Sequence, residues 1–163
     1  MAVVAVLAAT SSLAGCGFRL AGSEPLPAAL VRPYLDLKDP YTDFSREFER
    51  QLGSAGAKLQ PVREGATAII EVNKDLVKQR TLAVSANNIP TLYELTYSVT
   101  FAVHAGDKPG GKELMAPQTI EVLKDYSFEE NALLAKEHEA DILRGQMAQD
   151  LVAIAMHRLT SLK

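Results

Sequence analysis

Apolar and polar residues alternate without a break from Tyr93 to Val103. Tyr93, Leu95, Tyr97, Val99, Phe101 and Val103 fall on one side, and Glu94, Thr96, Ser98 and Thr100 on the other. A period of two marks a strand that covers a core on one side only. Upstream, the stretch Ala68 to Val77 is rich in β-branched residues, with Ile70 and Val72 alternating with Glu71 and Asn73, and predicts another strand. Val31 to Leu37 predicts an earlier one, with Pro33 near its start, where an edge position excuses the missing donor. Met115 to Lys124 predicts a fourth, on the strength of Thr119, Ile120, Glu121 and Val122. Between the first two strands, Asp39 to Asp43 is turn chemistry that supplies a helix N-cap. Phe44, Phe48 and Leu52 then form one stripe of a short amphipathic helix, which Gly53 and Gly56 are expected to stop. Gln79 to Thr91, containing Asn87-Asn88 and Pro90, reads as the end of a long hairpin, and Ala105 to Gly111 as a second hairpin loop. From Ser127 onward the pattern is helical. Ala140, Leu143, Met147, Leu151, Ile154 and Arg158/Leu159 trace its apolar stripe, no Pro interrupts it, and its length is about 45 Å. Ser127 and Glu130 stand in capping-box spacing, with Asn131 as a second candidate cap. The order βαβββα predicts an α+β fold, with two helices packed on one face of a four-stranded, largely antiparallel sheet and the opposite face left polar.

The first 30 residues do not share these patterns. Met1 to Leu13 carries no charge and is dominated by Ala, Val and Leu, yet it is too short for a transmembrane helix, which needs roughly 20 apolar residues. It fits the apolar region of a signal peptide, although the basic segment usual before such a region is absent. Leu13-Ala14-Gly15 then abuts Cys16, the one cysteine of the chain, and this run resembles the lipobox of bacterial lipoproteins. In those proteins the cysteine receives an S-diacylglycerol and, after cleavage before it, an N-acyl group. Residues 1–15 are therefore expected to be a signal peptide, Cys16 the lipid attachment site and residues 16–30 a tether rich in Gly, Pro and Ser. Residues 31–163 are expected to form a single α+β domain. With the one sulfur committed to acylation, that domain has no disulfide and must be stabilised by packing.

Charge adds an exclusion. The 17 basic and 20 acidic residues give a net charge of −3, which argues against a general nucleic-acid binder. Catalytic signatures are also missing: no H-E-x-x-H, C-x-x-C, G-x-S-x-G or Walker-type loop occurs. His138 and His157 lie about five helical turns apart and cannot meet at one metal. Gly106 to Gly111 joins two antiparallel strands and not a strand and a helix, so it does not suit a phosphate cradle. A hydrolase would need His104 to meet a carboxylate and Ser98 or Thr100, with no third member in view. The carboxylates Glu129, Glu130, Glu137, Glu139 and Asp141 fit the dipole at the start of the last helix. The reading is therefore of a protein that is not an enzyme and has no metal or cofactor beyond the acyl groups on Cys16. Two features remain: the polar face Glu94, Thr96, Ser98 and Thr100, which suits water or a partner's wall, and the basic residues Lys74, Lys78, Arg80 and Lys136.

Taken together, Cys16-Gly17-Phe18-Arg19, the run Leu92-Tyr93-Glu94-Leu95 followed by Val99 and Phe101, and DYSFEENALLAKEHEADILRGQMAQDLVAIAMHRL resemble the LPS-assembly lipoprotein (LptE) family. The resemblance implies a lipoprotein held in the inner leaflet of the outer membrane, with its domain on the periplasmic side and inside the lumen of a large lipopolysaccharide-export β-barrel. It implies that the chain plugs this barrel, helps it assemble and binds lipopolysaccharide in transit, with Glu94, Thr96, Ser98 and Thr100 facing the barrel. For lipopolysaccharide the family points to a basic residue at the head of the last helix, which Lys136 matches, and one near the hairpin tip. The second position falls at Ala86-Asn87, which is not basic, so Arg80 and its neighbour Lys78 become the candidates. A second reading is an unrelated envelope lipoprotein that carries or chaperones an apolar ligand.

Overall fold

The computed structural model describes residues 26–127 and 133–162, with side chains in the last helix from residue 139 on. The expected signal peptide, Cys16, the first part of the expected tether and the caps proposed at Glu130 and Asn131 lie outside the described residues. After a 3-10 turn at Ala28–Leu30, the elements are β1 (Pro33–Leu37), α1 (Asp43–Ser54), β2 (Ala68–Val84), β3 (Pro90–Ala105), β4 (Glu113–Ser127) and α2 (Leu133–Thr160). The sheet runs in the order β1-β2-β3-β4, with β1 parallel to β2 and the other pairs antiparallel. This is the predicted βαβββα arrangement.

Local chemistry explains the entry and exit of α1. Thr42 is its N-cap, with Oγ1 accepting from the Ser45 N–H at 3.0 Å. Asp39 bends the chain ahead of it, its Oδ1 accepting from the Tyr41 N–H at 2.9 Å. Gly53 lies inside the helix and does not stop it. The chain turns away at Gly56, whose φ of +94° is a conformation that glycine adopts without strain. The face of Phe44, Phe48 and Leu52 is fully buried, as the spacing predicts, and the two phenyl rings stack at 5.2 Å.

Both helices lie over the side of the sheet that carries Ile70, Val72, Leu95, Tyr97, Val99, Phe101, Val103 and Ile120. Along α2 the buried line is Met147, Ala148, Leu151, Val152, Ala155 and Leu159. Ile154 does not belong to the stripe; a step of about 100° per residue gives that place to Ala155 and leaves Ile154 37% exposed. Ser127 is also not a helix cap, because it pairs with Leu92 as the last residue of β4. The strands run beyond the alternating segments: β2 continues to Val84 and β4 starts at Glu113. A ladder partner is enough to hold a strand where no core demands alternation. The hairpin end predicted at Gln79 to Thr91 is therefore mostly paired strand, with the loop confined to residues 85–89.

A bulge sets which way β2 faces. The register with β3 shifts between Val72 and Lys74, so Asn73 is the extra residue, and the side chains beyond it change sides. Asp75 consequently points toward α1, where its Oδ2 accepts from the Thr42 hydroxyl. The Tyr97 hydroxyl also hydrogen-bonds Asp75 and accepts from the Phe44 N–H at 3.2 Å. Burial holds the Asp75 carboxyl above its usual range, with the bonds from Thr42 and Tyr97 pulling the other way. Burial, reinforced by the Asp75 charge, pushes the Tyr97 phenol well above its own. This cluster ties the first turn of α1 to the centre of the sheet.

Candidate functional site

The face of the sheet turned away from the helices is built from three columns. On β2 it shows Lys74, Leu76, Lys78 and Arg80, brought there by the bulge; on β3, Thr100, Ser98, Thr96 and Glu94; on β4, Thr119, Glu121, Leu123 and Asp125. The four residues read as a partner-facing row thus share one side, but they are not equally available. Ser98 is only 4% exposed, set in register between the longer Leu76 and Glu121. Glu94 sits under Arg80, which holds it through two bonds, Nε to Oε1 at 2.6 Å and an Nη at 3.1 Å to Oε2. Thr100 and Thr119 share a hydrogen bond at 2.9 Å across the strands. Nor is the face wholly polar, since Leu76 and Leu123 stand 39% and 51% exposed on it. Cations line its β2 side, carboxylates its β4 side, and hydroxyls the centre.

Among the basic candidates, Arg80 spends its fork on Glu94, whose carboxyl it draws below the usual range. Lys74 and Lys78 make no ion pair among the described residues. Lys136 lies in the first turns of α2, and its side chain falls outside the described residues. Beyond Arg80 the β2–β3 hairpin projects as a ribbon. Its loop closes through the Ser85 N–H to Ile89 O at 2.7 Å and the Asn88 N–H to Ser85 O at 2.9 Å, with Asn88 at a positive φ of 61°.

His104 was the other residue with chemical potential. Its Nε2 stands 3.6 Å from a Glu71 oxygen, and its buried Nδ1 has no hydrogen-bond partner. Thr100 is four residues along the strand, about 13 Å away, too far for proton transfer. Among the described residues, no group of three or more His, Cys, Asp or Glu could hold a metal. No described helix is long and apolar enough to cross a membrane.

Comparison with known proteins places this architecture. The family model described as LptE, Lipopolysaccharide-assembly, matches residues 34–159, from β1 to the end of α2. The chain belongs to the LptE family. The LPS-assembly lipoprotein LptE of Yersinia enterocolitica is 29% identical over 145 residues, covering 85% of this chain and 67% of that protein. Its counterpart in Pectobacterium atrosepticum is 26% identical over 154 residues, 91% of this chain and 79% of that protein. The LptE fold recurs in solved structures. Lipoprotein B of Nitrosomonas europaea superimposes with a TM-score of 0.71 at 24% identity, covering 89% of this chain and 91% of its own. The rare lipoprotein B of Shewanella oneidensis gives 0.61 at 26% identity, with 78% and 94% covered. Both the Yersinia and the Pectobacterium relatives carry the name LPS-assembly lipoprotein. What sequence reasoning missed in the site was the bulge, whose one local signal is Asn73 interrupting a β-branched run.

Proposed function

We propose that this LptE-family lipoprotein plugs the lipopolysaccharide-export β-barrel of the outer membrane, helps that barrel assemble and binds lipopolysaccharide on its way to the surface. In this reading Cys16 carries an S-diacylglycerol and an N-acyl group, and these chains hold the protein in the inner leaflet. The observation that carries the proposal is the family match over the whole folded domain. The uncovered sheet face supports it: rows of hydroxyls and charges suit the water-filled, polar interior of a large barrel. Lys78, Arg80 and Lys136 are the proposed contacts to phosphates of the glycolipid, with Glu94 moderating Arg80. Catalysis has no part in the role.

The test is isolation of the tagged, lipidated protein from outer membranes in mild detergent, with mass spectrometry of whatever accompanies it. A large β-barrel at one-to-one stoichiometry is the expected result. A free monomer overturns the plug reading, and a monomer carrying only a bound lipid favours a carrier.

A further inference from the structure

The end of the sheet at which the described chain enters is drawn together by Thr67, just ahead of β2. Its N–H donates to the Arg32 carbonyl at 2.8 Å. Its Oγ1 accepts from the Arg32 N–H at 3.0 Å and donates to the Ala29 carbonyl at 2.7 Å. The Thr67 carbonyl in turn accepts from the Gly106 N–H at 2.9 Å. Alongside, Lys58 and Gln60 donate their N–H groups to the carbonyls of Val31 and Pro33, and Asp107 accepts from the Gly65 N–H at 3.2 Å. Residues 28–33, 57–67 and 105–112, distant in sequence, are thereby tied into one surface.

The charge of this surface differs from that of the chain as a whole. Arg32, Lys58, Lys108 and Lys112 are exposed and make no ion pair among the described residues. Glu64 and Glu113 are exposed nearby, whereas Asp107 is occupied by Gly65 and Asp36 by Arg63. A basic surplus here stands against a net charge of −3 overall. Val31, next to Arg32, and Val62, next to Arg63, are 45% and 54% exposed. Exposed aliphatic groups among unpaired cations suit an anionic headgroup layer, where the cations meet phosphate and the aliphatic groups dip into the boundary. The surface is separate from the proposed glycolipid contacts, since Ala68 lies about 33 Å along β2 from Lys78.

The course of the chain says what this surface meets. With Cys16 as the anchor, the tether to Leu26 spans at most about 35 Å when fully extended, and about 17 Å on average as a flexible coil. A plug anchored in the leaflet must send that tether past the rim of its barrel, so the entry end is the part of the domain kept nearest the bilayer.

We propose that the surface of Arg32, Lys58, Lys108 and Lys112, with Val31 and Val62, docks on anionic phospholipid headgroups of the leaflet that holds the acylated Cys16. The inference rests on the anchored-lipoprotein reading and adds to the acyl chains a second, noncovalent contact that fixes the angle at which the domain leaves the membrane. Its test is photo-crosslinking in intact cells, with a photoreactive residue in the full chain at position 62 or 109. Position 109 lies two to three strand spacings, about 10–14 Å, from the tether side, so proximity to the anchor alone does not serve it. Position 41 is the control, because Tyr41 is 80% exposed beyond the other end of β1. Phospholipid adducts are expected at 62 and 109 and not at 41. Absence of the lipid adduct at either position, equal labelling at 41, or adducts at 62 and 109 on lipopolysaccharide or on protein alone overturns the proposal.

Lys58→Gln combined with Lys112→Gln should lower both lipid adducts severalfold, since each basic residue near an anionic surface contributes about fivefold to contact. Lys38→Gln combined with Lys74→Gln, the same loss of charge farther along β1 and β2, should leave them unchanged. An equal loss with both pairs would assign the effect to net charge and overturn the proposal. Mass spectrometry of the mature N-terminus reads the acyl groups on Cys16 separately. Their absence would strike the anchor reading and this inference with it, whereas an acylated chain without the lipid adducts overturns the inference alone.

Discussion

Tyr97→Phe removes one oxygen atom from the middle of the fold and should have a large effect for its size. Ring volume hardly changes, so no cavity opens and the loss is almost purely polar. Two partners lose that oxygen. The Phe44 N–H, in the first turn of α1 on a residue with no exposed surface, loses its acceptor, and an unsatisfied buried amide costs about 1–3 kcal/mol. The Asp75 carboxylate loses a donor, and a hydrogen bond to a charged group contributes about 1.5–3 kcal/mol. Because one hydroxyl serves both, the terms do not add fully, and the expected loss at pH 7 is about 3 kcal/mol, or a fall in Tm of about 6–12 °C. Asp75 makes the effect depend on pH. Burial already holds its folded pKa above the ordinary 3.8, and without Tyr97 it rises further. An acid with a raised folded pKa adds no penalty below 3.8 and destabilises increasingly as pH climbs from there through the folded value. The Tyr97→Phe deficit should therefore shrink as pH falls from 7 toward 4. Asp75→Asn, which cannot ionise, should abolish that dependence in a double-mutant cycle. The assay is urea unfolding followed by circular dichroism at several pH values. A deficit under about 0.5 kcal/mol at pH 7, or one that grows on acidification, would refute the reasoning.

Other substitutions check other parts of the structure. Arg80→Ala should let the Glu94 carboxyl climb back toward 4.5, read by NMR titration of the carboxyl carbon, because the Arg80 hydrogen bonds are the main cause of its depression. Gly111→Ala places a Cβ 2.1 Å from the Ala105 carbonyl oxygen, so the β3–β4 loop must shift; a loss of about 1–3 kcal/mol and faster amide exchange at Ala105 are expected. Leu151→Ala, at a site with no exposed surface, should cost about 2–5 kcal/mol, whereas Ile154→Ala on the open side of α2 should stay within about 1 kcal/mol. Equal losses at these two positions would mean that the face of α2 is wrongly assigned.

Much of this was legible beforehand because the signals are local. The alternation along β3 and the four-residue spacing of Phe44, Phe48 and Leu52 each report one buried face. They do so without reference to the rest of the chain, since backbone geometry sets both periods. Where a signal depended on a partner, the reading slipped. Ser127 has the spacing of a cap but is held in β4 by Leu92, and Ile154 has the hydrophobicity of a core residue but the wrong angle around α2.

Composition, periodicity and turn chemistry by themselves determined the order of elements, the layered α+β architecture and the absence of catalytic signatures, because each follows from short-range preferences and the need to bury one face. The tertiary structure alone decided the character of the uncovered face. Simple alternation carried on from Ile70 and Val72 would turn Lys74, Lys78 and Arg80 toward the helices and Asp75 away from them. The single extra residue at Asn73, fixed by pairing with β3, reverses both. It sends the lysines to the open side and Asp75 beneath α1, since in a strand a shift of one residue exchanges the two faces.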